Sequence, residues 1–216
     1  METIEVRTEV RVPPAEAYAF VRDFPGYTRY SKYIREVSAE GDGGPGTIYA
    51  IQFGWWKLGY RAETRVTETV PPERVCWEVQ SDIDAHGRWQ VEPVDGETER
   101  SRVSLVVSYD PDSAGPELVD LPALLSIDWV VDRVVDLIEE EGRRVVSRVV
   151  ADLEGETRPV ELTVRWERDG EGATTERVST SGDLPESDAV DSPVDRDSHS
   201  SSFSSEDDGS GSEDTN

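Results

Sequence analysis

Apolar and charged residues alternate along the first twelve positions of the chain. Ile4, Val6, Val10 and Val12 share one parity, and charged residues occupy positions 5, 7, 9 and 11. Alternation with a period of two predicts a β-strand with one face in the core and the other in solvent. The chain is therefore expected to open with a half-buried antiparallel strand.

Two short helices are expected next. Pro13-Pro14 ends the strand, and good helix formers follow as far as Pro25-Gly26, which stops the first helix. The aromatic stretch 27–33 predicts a second, shorter helical turn.

Strands and turns alternate from residue 34 to residue 109. Gly, Pro and Asp cluster at 41–46, 71–73 and 95–97, which is typical of turns. The segments between them predict strands near 34–41, 47–54, 58–70, 74–81, 85–93 and 101–109. Together with the first strand they make about seven strands curled over one shared apolar side.

The last strongly patterned segment has helical spacing. Apolar residues recur at that spacing from Ile127 to Val150, and charged residues occupy the opposite face. Asp120 or Ser126 can act as the N-cap, and the pattern ends near Leu153. A helix of about 30 residues is about 45 Å long, enough to cross a whole sheet. We expect an α+β fold in which this helix lies along the concave face of the sheet.

The rest of the chain divides in two. In residues 154–178, Leu162, Val164 and Trp166 alternate with polar residues, which predicts an extra edge strand or a hairpin. Residues 179–216 are rich in Ser, Asp, Glu and Gly, which predicts a disordered acidic tail. The expected organisation is one folded domain over 1–153, this added segment, and the tail.

The net charge of the chain limits the kinds of molecule that it is expected to bind. The chain carries 47 acidic and 22 basic residues, a net charge of −25, and Lys32 and Lys57 are its only lysines. An acidic surface poor in lysine is typical of haloarchaeal proteins, because very high ionic strength screens the self-repulsion. An acidic surface that binds a basic partner is the alternative. Either surface repels phosphates, so we expect no nucleic acid partner.

The chain is expected to be cytoplasmic. No stretch approaches 18 apolar residues, so no membrane span is predicted, although transient contact with a membrane stays open. The N-terminus lacks the charged and apolar regions of a signal peptide. Cys76 is the single cysteine, which excludes an intramolecular disulfide.

Residues for catalysis are scarce. His86 and His199 are the only histidines, and His199 lies in the predicted tail. His86 is placed on a strand whose other face carries Trp89, so it is expected to point outward. One cysteine and one ordered histidine do not make the usual zinc site. We predict no catalytic residue, no metal and no cofactor.

Aromatic residues are frequent on the strands and short helices. A sheet wrapped around one helix leaves an interior that side chains do not fill, which forms an apolar pocket with a few polar groups. Plain core packing is the alternative for each aromatic residue. The predicted ligand-binding residues are Phe20, Tyr27, Tyr30, Tyr60, Thr64, Trp77, Trp89, Tyr109 and Trp129. Tyr27 and Tyr30 would lie at the entrance.

The order of these elements resembles the helix-grip, or START-like (SRPBCC), superfamily. The motifs Phe24-Pro25-Gly26-Tyr27 with Tyr30, Pro71-Pro72-Glu73-Arg74-Val75, and Gly87-Arg88-Trp89 are similar to its polyketide cyclase and lipid-transport branch, which includes coenzyme Q-binding proteins. The resemblance covers about residues 1–153. It implies a helix-grip fold and non-catalytic binding or transport of a hydrophobic small molecule, such as a lipid or an isoprenoid quinone. We expect a pocket of several hundred Å³.

Two other functions stay open. A polyketide cyclase or aromatase would need an acid or base inside the pocket, and Glu68, Glu78 and Arg61 qualify only if the predicted strand parity is wrong. A protein-interaction module would act through the acidic tail, whose partner is unknown, or through the Trp55-Trp56 hairpin. A filled interior would favour this last function.

Overall fold

The computed structural model describes residues 1–55, 58–80, 83–113, 127–168 and 172–180, without the side chains at 55, 58, 60 and 127–140. The elements in chain order are β1 (Glu2–Val10), α1 (Pro14–Val21), a 3-10 helix (Phe24–Arg29), β2 (Ile34–Glu40), β3 (Ile48–Trp55), β4 (Leu58–Val70), β5 (Arg74–Val79), β6 (Ala85–Pro93), β7 (Ser101–Tyr109), a 3-10 turn (Pro111–Ser113), α2 (Ile127–Glu154), β8 (Glu161–Glu167) and β9 (Thr174–Ser179). The α+β fold class predicted from the sequence is confirmed.

The strands form one antiparallel sheet in the order β2-β3-β4-β5-β6-β7-β1-β8-β9. Nine strands are present among the described residues, so the prediction of about seven is wrong, and the two additional strands are those of the hairpin β8–β9. The hairpin adds to the edge that β1 would otherwise leave open, with Ile4 opposite Trp166 and Val6 opposite Val164. Its alternating apolar face thereby continues the inner face of β1.

The second short helix begins earlier than the aromatic stretch suggested. It is a 3-10 helix over Phe24–Arg29, and the Asp23 side chain caps it by accepting a hydrogen bond from the Gly26 N–H at 3.3 Å. Pro25 lies in its first turn, where proline is tolerated because the N–H it lacks has no helical partner there. The cap and the proline together start the helix before Tyr27.

One face of the sheet is the inner face, and it holds the core. Val66, Val75, Val91 and Val103 contribute to it from four strands, and Tyr18 contributes from α1. A β-bulge between Val66 and Glu68 shifts the register of β4 against β5. An extra residue of this kind reverses the parity of a strand, so Glu68 is exposed on the outer face.

The C-terminal half of α2 packs on this inner face, where Val150 is buried and Val146 and Leu153 contact the same core. Ion pairs and hydrogen bonds fix the C-terminal end of α2. Glu154, whose side chain is 2% exposed, accepts hydrogen bonds from Arg158 at 2.7 Å and from the Arg11 N–H at 2.8 Å. These charges attach the end of α2 to the end of β1.

Several expectations concern residues outside the described ranges. They are the N-cap at Asp120 or Ser126, the Trp55-Trp56 hairpin, and the tail beyond Thr180. In the part that is described, no helix is long and apolar enough to cross a membrane.

Candidate functional site

A cavity of about 150 Å³ lies between α1, the 3-10 helix, the inner face of β1, β6 and β7, and the C-terminal half of α2. We call it the main cavity. It is lined by Thr8, Val10, Ala17, Phe20, Val21, Tyr27, Tyr30, Ser31, Ile34, Trp89, Val103, Val145, Val146, Val149, Val150 and Leu153. The surface that these residues present to the cavity is apolar throughout.

Aromatic rings form one side of the main cavity. The ring of Phe20 meets that of Tyr30 edge to face at 5.4 Å between centroids, and Tyr27 meets Trp89 in the same way at 6.3 Å. Phe24 stacks on Tyr49 behind them at 4.6 Å. Edge-to-face and offset contacts are the favoured geometries of aromatic pairs. The rings therefore support one another as a wall.

Polar contacts outside the cavity fix the two tyrosine rings. The Tyr27 hydroxyl donates to the carbonyl oxygen of Val21, and the Tyr30 hydroxyl donates to the Asp152 carboxylate on α2. Arg148 donates to the carbonyl oxygen of Tyr30 at 3.0 Å. Because the hydroxyls are engaged outside, the rings cannot rotate into the cavity without losing hydrogen bonds.

Both tyrosines stay neutral near neutral pH. Burial and the hydrogen bond to Asp152 raise the pKa of Tyr30 to about 12. Burial raises the pKa of Tyr27 well above its usual value, the charge of Asp23 adds to this, and a hydrogen bond with the Trp89 side chain opposes it. Neither hydroxyl is suited to exchange protons with a ligand at physiological pH.

Four of the predicted ligand-binding residues, Phe20, Tyr27, Tyr30 and Trp89, line the main cavity. The side chains of two others, Tyr60 and Trp129, lie outside the described residues.

The remaining three predicted residues, Thr64, Trp77 and Tyr109, lie on the inner face but do not line the main cavity. Thr64 is buried and bonds to the Tyr49 carbonyl at 3.5 Å. The Tyr109 hydroxyl donates to Glu2 at 2.8 Å, and burial with that bond raises the Tyr109 pKa to about 12. These three residues lie at other positions along the strands of the inner face, away from the lining of the main cavity.

Sequence reasoning missed the aliphatic half of the lining. Thr8 and Val10 come from β1, and Val145 and Val149 come from α2. The alternation of β1 and the helical spacing of α2 marked these positions as buried. Aliphatic residues bury themselves equally in a solid core and around a cavity, so the pattern does not separate the two.

The acids and bases considered for catalysis lie on the outer face. Arg74 pairs with Glu68 at 3.1 Å, Arg65 pairs with Glu78 at 3.1 Å, and Arg61 lies 3.2 Å from a neighbouring glutamate. His86 is exposed, as its strand parity predicts. Among the described residues, no group of three His, Cys, Asp or Glu side chains could hold a metal ion.

One carboxylate is buried elsewhere in the molecule. Glu141 on α2 is 6% exposed, and its Oε1 has no hydrogen-bond partner among the described residues. Its Oε2 lies 3.7 Å from Arg144. Glu141 does not line the main cavity.

A second cavity of about 80 Å³ lies between α2 and the hairpin β8–β9, and we call it the hairpin cavity. It is lined by Val6, Gly142, Arg143, Val146, Leu162, Val164, Trp166, Glu176 and Val178. Val146 lines both cavities. The hairpin cavity differs from the main cavity because two charged residues belong to its wall.

The main cavity is smaller than the several hundred Å³ expected from the sequence. Aromatic rings and branched valines occupy much of the space between α2 and the sheet. An engineered apolar cavity of about 150 Å³ remains dry and binds benzene, so this volume admits a ring or a short hydrocarbon segment.

Solved structures with the same fold are remote in sequence. The Zhui aromatase/cyclase from Streptomyces sp. R1128 is 12% identical, with a TM-score of 0.53 over 73% of this chain and 97% of that one. A START superfamily protein from Mycobacterium smegmatis is 14% identical, with a TM-score of 0.51 over 71% and 99%. No curated protein matches the chain.

The sequence profile of one protein family matches residues 1–126, more than half of the chain. That stretch contains β1 to β7, both short helices and all of the main cavity wall outside α2. The fold likeness to a START superfamily protein agrees with the match. The chain therefore belongs to the polyketide cyclase / dehydrase and lipid transport family.

Proposed function

We propose that this protein binds or carries a hydrophobic small molecule, such as a lipid or an isoprenoid quinone, without catalysing a reaction on it. The observation that carries the proposal is the main cavity, an empty space of about 150 Å³ with an entirely apolar surface. An apolar cavity costs the protein dispersion contacts and stability. An apolar guest restores those contacts, and water does not.

The size of the cavity suggests how a larger ligand would bind. Pockets that enclose a whole drug-sized molecule measure about 300–1,000 Å³. The main cavity would therefore hold one apolar end of a lipid or quinone, and the rest would extend beyond it. Val145 and Val149 on α2 would contact that end from one side, and Trp89 from the other.

The lining supports binding rather than catalysis. Its two tyrosine hydroxyls are engaged by Val21 and Asp152 and have raised pKa values. General acid–base catalysis needs a group that exchanges protons near the working pH and reaches the substrate. A cyclase is the second candidate, because the Zhui aromatase/cyclase has the same fold. It would need an acid or base in the pocket, and Glu141, whose Oε1 has no partner among the described residues, does not line the main cavity.

The test compares two equal substitutions in the two cavities. Val149→Phe fills part of the main cavity, and Val178→Phe places the same side chain in the hairpin cavity. We expect Val149→Phe to weaken binding of diphenylmethane at least about tenfold, because the loss of a buried ring contact is worth about 1.5 kcal/mol or more. Val178→Phe should bind the probe like the unchanged protein. Calorimetric titration measures both.

Native mass spectrometry of the full chain purified from its host at high salt gives the second measurement. A hydrophobic molecule that copurifies reproducibly, and is released unchanged, supports a carrier. Release of a cyclised or dehydrated form of an added polyketide-like substrate would instead favour the cyclase. A protein that binds no apolar probe and carries no molecule would refute the proposal.

A further inference from the structure

Trp77 has a buried hydrogen-bond donor without an acceptor. Its indole Nε1 is inaccessible to solvent, and no partner for it lies among the described residues. The unmet donor costs roughly 1–3 kcal/mol, and most buried polar atoms in folded proteins have a partner. An atom of this kind on the inner face of a binding fold needs an explanation.

Gly87 determines where this indole lies. Trp77 on β5 is directly opposite Gly87 on β6. A Cβ atom at Gly87 would lie 2.3 Å from Trp77 Cζ2 and 2.7 Å from Cε2, which no side chain could tolerate without displacing the ring. The indole therefore lies against the backbone of β6, in a position that requires glycine. The sheet itself holds the Trp77 N–H on the inner face.

Trp77 lies next to the main cavity along the sheet. Trp89, which lines that cavity, is two residues after Gly87 on the same face of β6. Two residues of a strand span about 6.6 Å. A ligand that extends from the main cavity past Trp89 by one such step reaches the level of Trp77, and it must displace neighbouring side chains to meet Nε1, because that atom has no solvent-accessible surface.

The other polar groups near this path are already engaged. Tyr27 and Tyr30 donate to Val21 and Asp152, and the Trp89 ring meets the Tyr27 ring edge to face. Thr64 is bonded to the Tyr49 carbonyl. Among the described residues of the inner face, Trp77 offers a donor that has no acceptor.

A bound water is a poor partner for this N–H. A buried water molecule needs two to four polar partners. The residues directly opposite Trp77 are Val66 on β4 and Gly87 on β6, and they provide no polar side chain. An acceptor that arrives as part of an apolar molecule satisfies the donor without needing further partners.

We propose that Trp77 Nε1–H donates a hydrogen bond to an acceptor oxygen of the ligand, while the apolar end of that ligand occupies the main cavity. This proposal rests on the proposed function and adds the chemical class of the ligand. The ligand class is an apolar molecule with a carbonyl oxygen about one strand step from its buried end: a ketone, a quinone or an ester. Trp77 is a specificity-determining residue that rejects plain hydrocarbons relative to such molecules.

The test uses two probes that differ only in the acceptor, benzophenone and diphenylmethane, with the full chain. Trp77→Phe removes the donor and keeps a ring over Gly87, and Trp166→Phe is the matched control in the hairpin cavity. We expect Trp77→Phe to weaken benzophenone binding about fivefold, as a net hydrogen bond of about 1 kcal/mol implies. Diphenylmethane should bind the unchanged protein and Trp77→Phe with equal affinity. Trp166→Phe should bind each of the two probes with the affinity of the unchanged protein.

The indole N–H resonance of Trp77 in the unchanged protein gives a readout that needs no stable variant. Benzophenone should move this resonance downfield, and diphenylmethane should not. An unmoved resonance at saturation, or equal losses for both probes in Trp77→Phe, overturns the inference and leaves the proposed function standing. If neither probe binds, the proposed function fails first, and the inference fails with it.

Discussion

Helix α2 has a cavity on each side, and the two sides differ. Towards α1 and the 3-10 helix lies the main cavity, about 150 Å³ with an apolar surface and a wall of aromatic rings. Towards the hairpin β8–β9 lies the hairpin cavity, about 80 Å³, bordered mostly by aliphatic side chains, by the ring of Trp166, and by the charged residues Arg143 and Glu176. Val146 belongs to both walls.

The difference shows what keeps space open in a protein interior. Leu162, Val164 and Val178 on the hairpin side carry no polar group that ties them away from the helix, so they can move in and reduce the gap. Tyr27 and Tyr30 on the other side are tied outward by their hydroxyls. Close packing is the default of interiors, so an open space requires groups that resist collapse. Polar anchors behind an apolar wall provide that resistance.

The largest expected effect tests this contrast with the same substitution on each side. Leu162 is 3% exposed on the hairpin side, and Leu153 is half-buried beside the main cavity. We expect Leu162→Ala to lower the free energy of unfolding by about 3 kcal/mol and Leu153→Ala by about 1.5 kcal/mol, because Leu162 is almost fully buried beside the smaller cavity, whereas Leu153 is half-buried beside the larger one and has fewer contacts to lose. Denaturant unfolding measures both.

Equal losses at the two leucines would contradict the contrast. They would indicate that Leu153 makes as many contacts as Leu162, and that the main cavity is not open in solution. Leu153→Ala should also leave the affinity for diphenylmethane unchanged or higher, since it enlarges the cavity.

The second effect concerns the anchors themselves. Tyr30→Phe removes the hydrogen bond to Asp152, and Tyr109→Phe removes the comparable bond to Glu2 away from the main cavity. We expect each to lower the free energy of unfolding by about 1.5 kcal/mol, the low end for hydrogen bonds to charged groups. Only Tyr30→Phe should weaken probe binding, because its ring is then free to enter the cavity.

The same tyrosines predict a loss of stability at alkaline pH. Their pKa values rise to about 12 in the folded state, above the usual value of 10.0. A group whose pKa is higher in the folded than in the unfolded state contributes stability that is complete below pH 10. This contribution to the free energy of unfolding is lost as the pH rises towards 12. Each variant should reduce this alkaline loss, and an unchanged pH profile in Tyr30→Phe would refute the role of its hydroxyl.

The smallest effect concerns Glu154, which fixes the C-terminal end of α2 beside the main cavity. Burial by itself would raise the pKa of Glu154, but hydrogen bonds from Arg158 and from the Arg11 backbone hold it below its usual 4.5. A lowered folded pKa contributes stability that is present above pH 4.5 and is lost as the pH falls below it.

We therefore expect Glu154→Gln to cost about 1 kcal/mol at neutral pH and progressively less below pH 4.5. The matched control is Glu156→Gln, because Glu156 pairs with Arg11 with its side chain 60% exposed and should contribute less than about 0.5 kcal/mol. Thermal unfolding between pH 3 and pH 7 measures both. A constant difference across that range would show that the Glu154 charge does not contribute.

The fold was predictable in most of its parts because each signal is local. The strands β4, β6 and β7 have the bounds that alternation and turns indicated, and α2 ends one residue after the predicted position. The bulge after Val66 was not predictable, since an inserted residue leaves no mark in a polar stretch. The cap from Asp23 started the 3-10 helix before its aromatic residues.

The site was predictable only as a set of inward positions. Parity selected Trp77, Trp89 and Tyr109 equally, and only Trp89 lines the main cavity. The parity of a residue in a strand identifies which face of the sheet it lies on. It does not identify which part of that face the helices leave uncovered. That depends on where α1 and α2 cross strands that are distant in sequence.

The sequence by itself determined the order of strands and helices, which faces are apolar, and the scarcity of histidine and cysteine, because periodicity and residue chemistry are local properties. Only the tertiary structure decided that the hairpin β8–β9 pairs with β1, that two tyrosines donate to Val21 and Asp152, and that the Trp77 donor has no partner among the described residues. These outcomes depend on contacts between residues as far apart as Tyr30 and Asp152. No local pattern encodes which distant groups meet.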